Sequence, residues 1–256
     1  MILGWIGAVL IGLSLGLMGS GGSILTVPVL IYLFGQDEKL AIAGSLAIVG
    51  TIALAGGLGY LRAQLIDWKT VLLFGIPGMF GTYFGAWFAS YIAGIMQLVL
   101  FSFVMIAAAI MMMKKNIINA DTHERHLLKI IIDGLLVGII TGIVGVGGGF
   151  LIVPALVLMG GLAMRNAVAT SLIIIAMKSY SGFYKYLDVL NGQNLQLDWF
   201  TLGMVTAIGI VGTFLGTYLC NKTPQDKLKK YFAYFLLIMA TFILYKELPE
   251  AIQLLT

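Results

Sequence analysis

Two glycine-rich stretches interrupt the apolar segments of this sequence, and residues of this kind can bind an anion through the main chain. Glycine has no Cβ, so a ligand can approach its backbone closely. Where a helix begins at such a stretch, its free N–H groups and its dipole favour negative charge. The candidate binding residues of the two stretches are Gly19, Ser20, Gly21, Gly22 and Ser23, and then Gly145, Gly147, Gly148 and Gly149. Close packing of helices through small residues is the alternative interpretation.

The two stretches belong to an internal repeat. An offset of 145 − 19 = 126 relates Gly19 to Gly145, Pro28 to Pro154, and Ser45 to Ser171. After an insertion of five residues, an offset of 198 − 67 = 131 relates Asp67-Trp68 to Asp198-Trp199. Broken apolar segments at matching places in two halves are typical of a transport site.

Lys178 is a charged residue within the apolar stretch 167–186. A lysine near the centre of a membrane helix costs ~2.5–3.5 kcal/mol and usually faces a cavity or a partner. Its repeat equivalent is Ile52, so the charge departs from the internal symmetry. We expect Lys178 to bind the anion, with Ser45 and Ser171 as hydroxyl candidates. The alternatives are that the lysine snorkels to the interface and that the hydroxyls bond their own helices.

The composition indicates a helical protein that crosses a membrane several times. Hydrophobic residues make up 60% of the 256 residues, charged residues make up 10%, and the mean hydropathy is +1.03. A soluble domain carries roughly 25% charged residues. The net charge of +4 does not suggest nucleic acid, because the basic residues lie in short loops where they orient membrane proteins. We predict no metal, no cofactor and no enzymatic activity, since Cys220 is the single cysteine and phosphate-loop and HExxH motifs are missing.

Each half contains five apolar pieces, and the second piece of each half is short. These pieces, 24–35 and 150–161, have 12 residues, or ~18 Å of helix against a hydrocarbon core of ~30 Å. We expect each to form a hairpin with the helix before it. The predicted organisation is a first membrane repeat over 1–113, a cytoplasmic linker over 114–129 and a second membrane repeat over 130–256.

The distribution of lysine and arginine predicts that the two repeats are inverted. If each glycine region turns back and the N-terminus is outside, eleven basic residues lie inside: Arg62, Lys69, Lys114, Lys115, Arg125, Lys129, Arg165, Lys222, Lys227, Lys229 and Lys230. Three lie outside: Lys39, Lys185 and Lys246. Eight spans in two halves of the same orientation, with the N-terminus inside, would give eight basic residues inside against six outside, a weaker bias. The expected fold is therefore an all-α polytopic membrane protein of two inverted repeats, each with a glycine-tipped broken or re-entrant hairpin, and with the two tips approaching each other near the midplane.

Two further patterns have structural interpretations. Asp67 and Asp198 each precede an apolar run and fit helix N-caps. The series Gly78, Gly81 and Gly85, with its counterpart at 209, 212 and 216, fits close helix packing.

These residues resemble the TauE/SafE family, the sulfite and organosulfonate exporters also called toluene sulfonate uptake permeases. The resemblance lies in the duplicated G-x-G-G-(G/S)-hydrophobic-x-x-V-P pattern at 19–28 and 145–154 and in the Ala-x-Ala-(Gly/Thr)-Ser-Leu elements at 41–46 and 167–172. Ser23 replaces a third glycine in the first copy. The resemblance implies a multi-pass transporter in the cytoplasmic membrane of a bacterium or archaeon. It implies sulfite, thiosulfate or organosulfonates as substrates.

The sequence therefore predicts a secondary transporter of small sulfur-containing anions that works by alternating access. In this hypothesis the anion lies at the midplane between the two glycine-rich helix N-termini and Lys178. A passive anion channel is the alternative, and a non-transporting membrane subunit is a third hypothesis. The expected partners are the lipid bilayer and a small anionic substrate, with a homodimer as one option for assembly.

Overall fold

The computed structural model describes residues 2–19, 21–61, 63–113, 127–144, 149–159 and 161–255, and this part of the chain is helical with short connections. The helices of the first half are α1 (Ile2–Met18), α2 (Gly21–Tyr32), α3 (Glu38–Leu61), α4 (Trp68–Ala89) and α5 (Gly94–Met113). Those of the second half are α6 (Leu127–Val144), α7 (Gly149–Pro154), α8 (Met164–Gly192), α9 (Trp199–Lys222) and α10 (Gln225–Leu255). Two segments of these described ranges are π-helical, Val71–Gly75 within α4 and Ala155–Met159 directly after α7.

Seven of the described helices are long and apolar enough to cross a membrane, namely α3, α4, α5, α6, α8, α9 and the part of α10 from Lys230 to Gln253. Helices α1 and α2 are shorter and also apolar. The predicted all-α polytopic class is therefore confirmed. Residues 114–126 of the predicted linker lie outside the described residues, and residues 127–129 belong to the first turn of α6.

The first short helix forms the predicted hairpin. Gly19 closes the turn between α1 and α2 with a φ of +73°, a conformation that glycine adopts without steric cost. A Cβ added at Gly22 would lie 2.4 Å from the carbonyl oxygen of Ile11, and one added at Gly7 would lie 3.0 Å from Val29. Helices α1 and α2 therefore pack antiparallel and in close contact.

Helices from opposite halves pack in equivalent pairs. Helix α1 packs along α9, and its repeat equivalent α6 packs along α4. Glycines allow both contacts, since a Cβ at Gly85 would lie 2.2 Å from the Ile139 carbonyl oxygen and one at Gly216 would lie 2.2 Å from that of Leu13. The predicted glycine packing surfaces are confirmed at these positions.

The repeat-equivalent helices α3 and α8 lie side by side in the core and run antiparallel. Gly50 of α3 faces Ser179 of α8, whereas Gly57, further along α3, faces Ile173, which comes earlier in α8. Most of the residues in both helices are buried.

The predicted N-caps are also present. The carboxylate of Asp67 accepts hydrogen bonds from the backbone N–H groups of Lys69 and Thr70, at 3.1 and 3.3 Å. Asp198 does the same for the N–H groups of Phe200 and Thr201, both at 3.1 Å. Hydrogen bonds from the hydroxyl and N–H of Thr201 hold the pKa of Asp198 below its usual value.

Candidate functional site

Lys178 lies in the middle of α8 and its side chain is fully buried. Within the described part of the chain, its ammonium nitrogen has no hydrogen-bond partner, and neither has the hydroxyl of the adjacent Ser179. Buried polar groups are nearly always hydrogen-bonded, because leaving one without a partner costs free energy. Two such groups on consecutive residues mark this position as a candidate binding site.

Helix α4 supplies the surface on which Lys178 packs. A Cβ added at Gly78 would lie 2.9 Å from Cε and 3.2 Å from Nζ of Lys178, so a glycine at this position gives the lysine its space. The ring of Phe74 lies one turn earlier on α4, with its centroid 5.4 Å from Nζ. The electron-rich face of an aromatic ring attracts an ammonium at this distance. The described surroundings of the ammonium therefore include an aromatic ring but no hydrogen-bond acceptor for it.

The repeat equivalent of this contact is apolar. Gly209 of α9 corresponds to Gly78, and a Cβ added there would lie 2.3 Å from Cδ1 of Ile52, the equivalent of Lys178. The same packing position thus holds a methyl group in one half and an ammonium in the other. Because the equivalent position packs well with an apolar side chain, helix packing by itself does not require a charged residue at position 178.

A second departure from the repeat occurs at the same contact. The segment Val71–Gly75 of α4 is π-helical and is followed by Pro77, which has no N–H group to donate within a helix. The equivalent residue in α9 is Ile208, and α9 is α-helical throughout. π-helical turns inside α-helices are frequent at functional sites. The two departures from internal symmetry therefore meet where α4 contacts α8.

The first glycine stretch contacts α8 at a different level. The hydroxyl of Ser171 donates to the carbonyl oxygens of Gly19, at 3.2 Å, and of Val168, at 2.8 Å. The structure therefore brings together Gly19 and Ser171, two predicted site residues. Ser171 precedes Lys178 by seven residues, or two turns and about 10 Å of helix, so neither it nor Gly19 contacts the lysine.

The remaining candidates of the first half occupy other positions. Gly21 and Gly22 begin α2, and Ser23 is buried in its first turn. Ser45 is buried on α3 and donates to the carbonyl oxygen of Ile42 at 2.7 Å. Because α3 and α8 are antiparallel, Ser45 and Ser171 lie on opposite sides of the level of Lys178, about 20 Å apart along the helices.

The second glycine stretch is described only in part. Gly149 is buried at the start of α7. Ser20, Gly145, Gly147 and Gly148 lie outside the described residues. The expected meeting of the two glycine tips therefore remains a prediction.

The prediction that Lys39 lies in a loop is wrong, because this residue is buried in the first turn of α3. Its ammonium donates to the carbonyl oxygens of Ala89 and Ile92 at the end of α4, both at 2.7 Å, and to Oε1 of Gln97 at 2.6 Å. The negative end of a helix favours a cation at this position. Lys39 is therefore a fully partnered buried lysine, in contrast to Lys178.

Arg165 has an equivalent role in the second half. Its guanidinium donates to the carbonyl oxygen of Asn221 at the end of α9, at 2.7 Å. The offset of 165 − 39 = 126 is that of the repeat, so the sequence identifies Lys39 and Arg165 as equivalent basic residues, although it does not show what they contact.

Gln97 is a further residue that the sequence did not single out. Its amide donates to the hydroxyl of Tyr186, at 2.9 Å, and to the carbonyl oxygen of Ile143 in the last turn of α6. The repeat equivalent of Gln97 is Leu228, and the hydroxyl of Tyr60, the equivalent of Tyr186, instead makes a long 3.5 Å bond to the carbonyl oxygen of Gly16. The end of α6 is therefore held by hydrogen bonds centred on a glutamine, and a leucine stands at the equivalent position beside the end of α1.

Comparisons with known proteins agree with the membrane architecture. A family model described as "Sulfite exporter TauE/SafE" matches residues 5–243. A probable membrane transporter protein of Xylella fastidiosa strain 9a5c is 30% identical over 248 residues, which cover 93% of this chain and 92% of the relative. A probable membrane transporter protein of Methanocaldococcus jannaschii is 27% identical over 251 residues, which cover 92% of this chain and 94% of the relative. The probable membrane transporter protein YunE of Bacillus subtilis is 32% identical over 213 residues, which cover 70% of this chain and 77% of the relative. No solved structure matches the chain significantly.

Proposed function

The chain belongs to the sulfite exporter TauE/SafE family and is a membrane transporter, and we propose that it carries small sulfur-containing anions as a secondary transporter in the cytoplasmic membrane. Sulfite, thiosulfate and organosulfonates are the proposed substrates. The family match supports this substrate class. The observation that carries the proposal is the buried ammonium of Lys178, which has no partner within the described part of the chain.

Lys178 is the proposed counter-charge for the anion. A charge inside a membrane protein is stable only with a partner or water, and the described neighbours of Nζ provide no anionic group. A small oxyanion would accept hydrogen bonds from this ammonium, which has no partner among the described residues. Such bonds to an ion are stronger than those between neutral groups.

In this proposal the anion reaches Lys178 past the two glycine-rich stretches. The first stretch lies beside Ser171, two turns from Lys178 on α8. By the repeat, the second stretch would lie beside Ser45, on the other side of the lysine. Backbone amides at helix starts can bind a passing anion without a charged side chain. In this proposal the two stretches form two entrances about 20 Å apart with Lys178 between them, in place of two tips that meet at one point.

Inverted repeats provide the proposed mechanism of alternating access. The equivalent helices α3 and α8 pack antiparallel. This packing supports a pseudo-two-fold axis, because rotation about such an axis exchanges the two halves and reverses the direction of the helices. Where such helices cross a membrane, an axis of this kind lies in the membrane plane. Rocking of one half against the other would then open Lys178 to each side in turn.

Flux into liposomes containing the purified protein tests the proposal. Uptake is measured for sulfite, thiosulfate, sulfoacetate, sulfate and taurine, with Lys178→Met and the control Lys185→Met, which removes an ammonium paired with Asp188 on the same helix. We expect saturable uptake of at least one sulfur anion, its loss in Lys178→Met and its retention in Lys185→Met. Normal uptake by Lys178→Met would remove the lysine from the site, and non-saturable flux with large single-channel currents would instead indicate a passive channel.

A further inference from the structure

Glu247 is a buried carboxylate in a helix that crosses the membrane. It lies in α10, six residues before the end of the apolar segment Lys230–Gln253, and its exposed fraction is 6%. Among the described residues it is the single acidic side chain that is buried. Acidic residues inside membrane segments are rare and often belong to proton pathways.

The partner of Glu247 is Tyr32, the last residue of α2. The phenol of Tyr32 donates a hydrogen bond to the carboxylate, and the Tyr32 ring also packs edge-on against Phe242 of α10, with centroids 5.5 Å apart. Helix α2 begins at the first glycine stretch and is the short arm of the broken hairpin. The carboxylate is therefore bonded directly to the element that carries one proposed entrance.

Charged groups around Glu247 do not include a direct cation partner in the described part of the chain. The titratable groups that face it from α2, α3 and its own helix are Tyr32, Glu38, Lys246 and Glu250. Lys246 lies over the ring of Tyr32, 5.9 Å from its centroid, and makes no salt bridge with Glu247. A buried carboxylate with a phenol for its partner is suited to exchange a proton rather than to hold a fixed ion pair.

We propose that Glu247 binds a proton that is transported together with the anion, an inference that rests on the proposed function. The proton comes from water on one side, adds to a carboxylate oxygen, crosses with the anion and leaves to water on the other side. One positive charge then compensates one negative charge of the substrate during the crossing. Protonation also converts the hydrogen bond from Tyr32 from a charge-assisted bond into a weaker neutral one, which loosens α2 from α10.

Glu247→Gln separates coupling from packing. Glutamine keeps an oxygen that accepts the hydrogen bond from Tyr32, but it cannot take up a proton. Glu250→Gln is the matched control, since Glu250 is exposed and lies three residues later on the same helix. Both variants and the wild type are placed in liposomes and studied with radiolabelled sulfite in two assays, exchange at equal pH and accumulation driven by acid outside.

The wild type and Glu250→Gln are expected to exchange sulfite and to accumulate it under the pH gradient. Glu247→Gln is expected to retain exchange and to lose accumulation. The inference would be overturned, and the proposed function left intact, if Glu247→Gln accumulated sulfite under the gradient or lost exchange as well. The same conclusion would follow if the wild type exchanged sulfite without any response to the gradient. A wild type that exchanges no sulfur anion would contradict the proposed function and this inference together.

Discussion

The side chain of Lys178 occupies the space that Gly78 leaves open on α4, with Cε 2.9 Å from the point where a Cβ would stand. This relationship means that the position of the ammonium depends on the absence of one methyl group from a neighbouring helix. The position of the ammonium can therefore be altered without changing any charge.

Gly78→Ala should displace the ammonium and weaken the binding of the anion while the fold is retained. The lysine stem is flexible and can move away, and alanine is favoured over glycine inside a helix by about 1 kcal/mol. The measurement is the KM for uptake, which should rise with little change in thermal stability. Gly203→Ala on α9 is the control, because an added Cβ there meets nothing within 4 Å. An unchanged KM in Gly78→Ala would separate this glycine from the site.

The same substitution at the two buried lysines should have different effects on the stability of the protein. Lys39→Met removes the donor for three acceptors and should destabilise the protein by ~1–3 kcal/mol, because the acceptors are left buried. Lys178→Met removes an ammonium without a described partner and should leave stability unchanged or raise it. Thermal unfolding in detergent measures both. Equal destabilisation by the two variants would indicate that Lys178 has a structural partner.

Gly19→Ala should destabilise the first hairpin by more than the free-energy cost of placing alanine in a left-handed backbone conformation. A left-handed φ costs a residue with a Cβ roughly 1–2 kcal/mol. A Cβ at Gly19 would in addition lie 2.7 Å from the Ser171 hydroxyl oxygen and 2.8 Å from Cα of Val168.

Gly35→Ala is the matched control for that prediction. Gly35 has a φ of +67° and nothing within 4 Å of an added Cβ, so it reports the backbone cost by itself. The difference in melting temperature between the two variants measures the packing of the hairpin tip on α8. Equal shifts would mean that the tip is loosely packed.

Accessibility to a membrane-impermeant maleimide tests the inverted repeats. The loops that precede α4 and α9 are equivalent, and Gln64 and Asn194 are exposed in them. Single cysteines at these positions, in a Cys220→Ala background, should be labelled from opposite sides of the membrane. Labelling of both from one side would indicate parallel repeats.

The helices could be predicted from the sequence because lipid exposure makes their apolar runs long and their breaks conspicuous. Helix α5 coincides with the apolar run predicted over 94–113, and Asp67 caps α4 as expected. Helix α10 runs to Leu255, eight residues beyond the apolar piece predicted over 231–247, in which Glu247 is the last residue.

The contacts between helices were harder to predict, because they depend on which helices become neighbours. The predicted close packing of Gly78 is confirmed, since a Cβ added at Gly138 of α6 would lie 2.4 Å from the carbonyl oxygen of Gly78, but its contact with the side chain of Lys178 could not be predicted. Lys39 was expected in a loop, yet it bonds the end of α4. Sequence spacing also could not predict that Gly19 contacts Ser171 rather than Lys178, since both distances depend on how α1 and α8 pack together.

Direct binding of an anion to the purified protein tests the central role of Lys178 most directly. Calorimetric titration of the wild type with sulfite or thiosulfate in detergent should give saturable binding, and the same titration of Lys178→Met should give none, with Lys185→Met binding like the wild type. Binding of equal affinity by Lys178→Met would contradict the account.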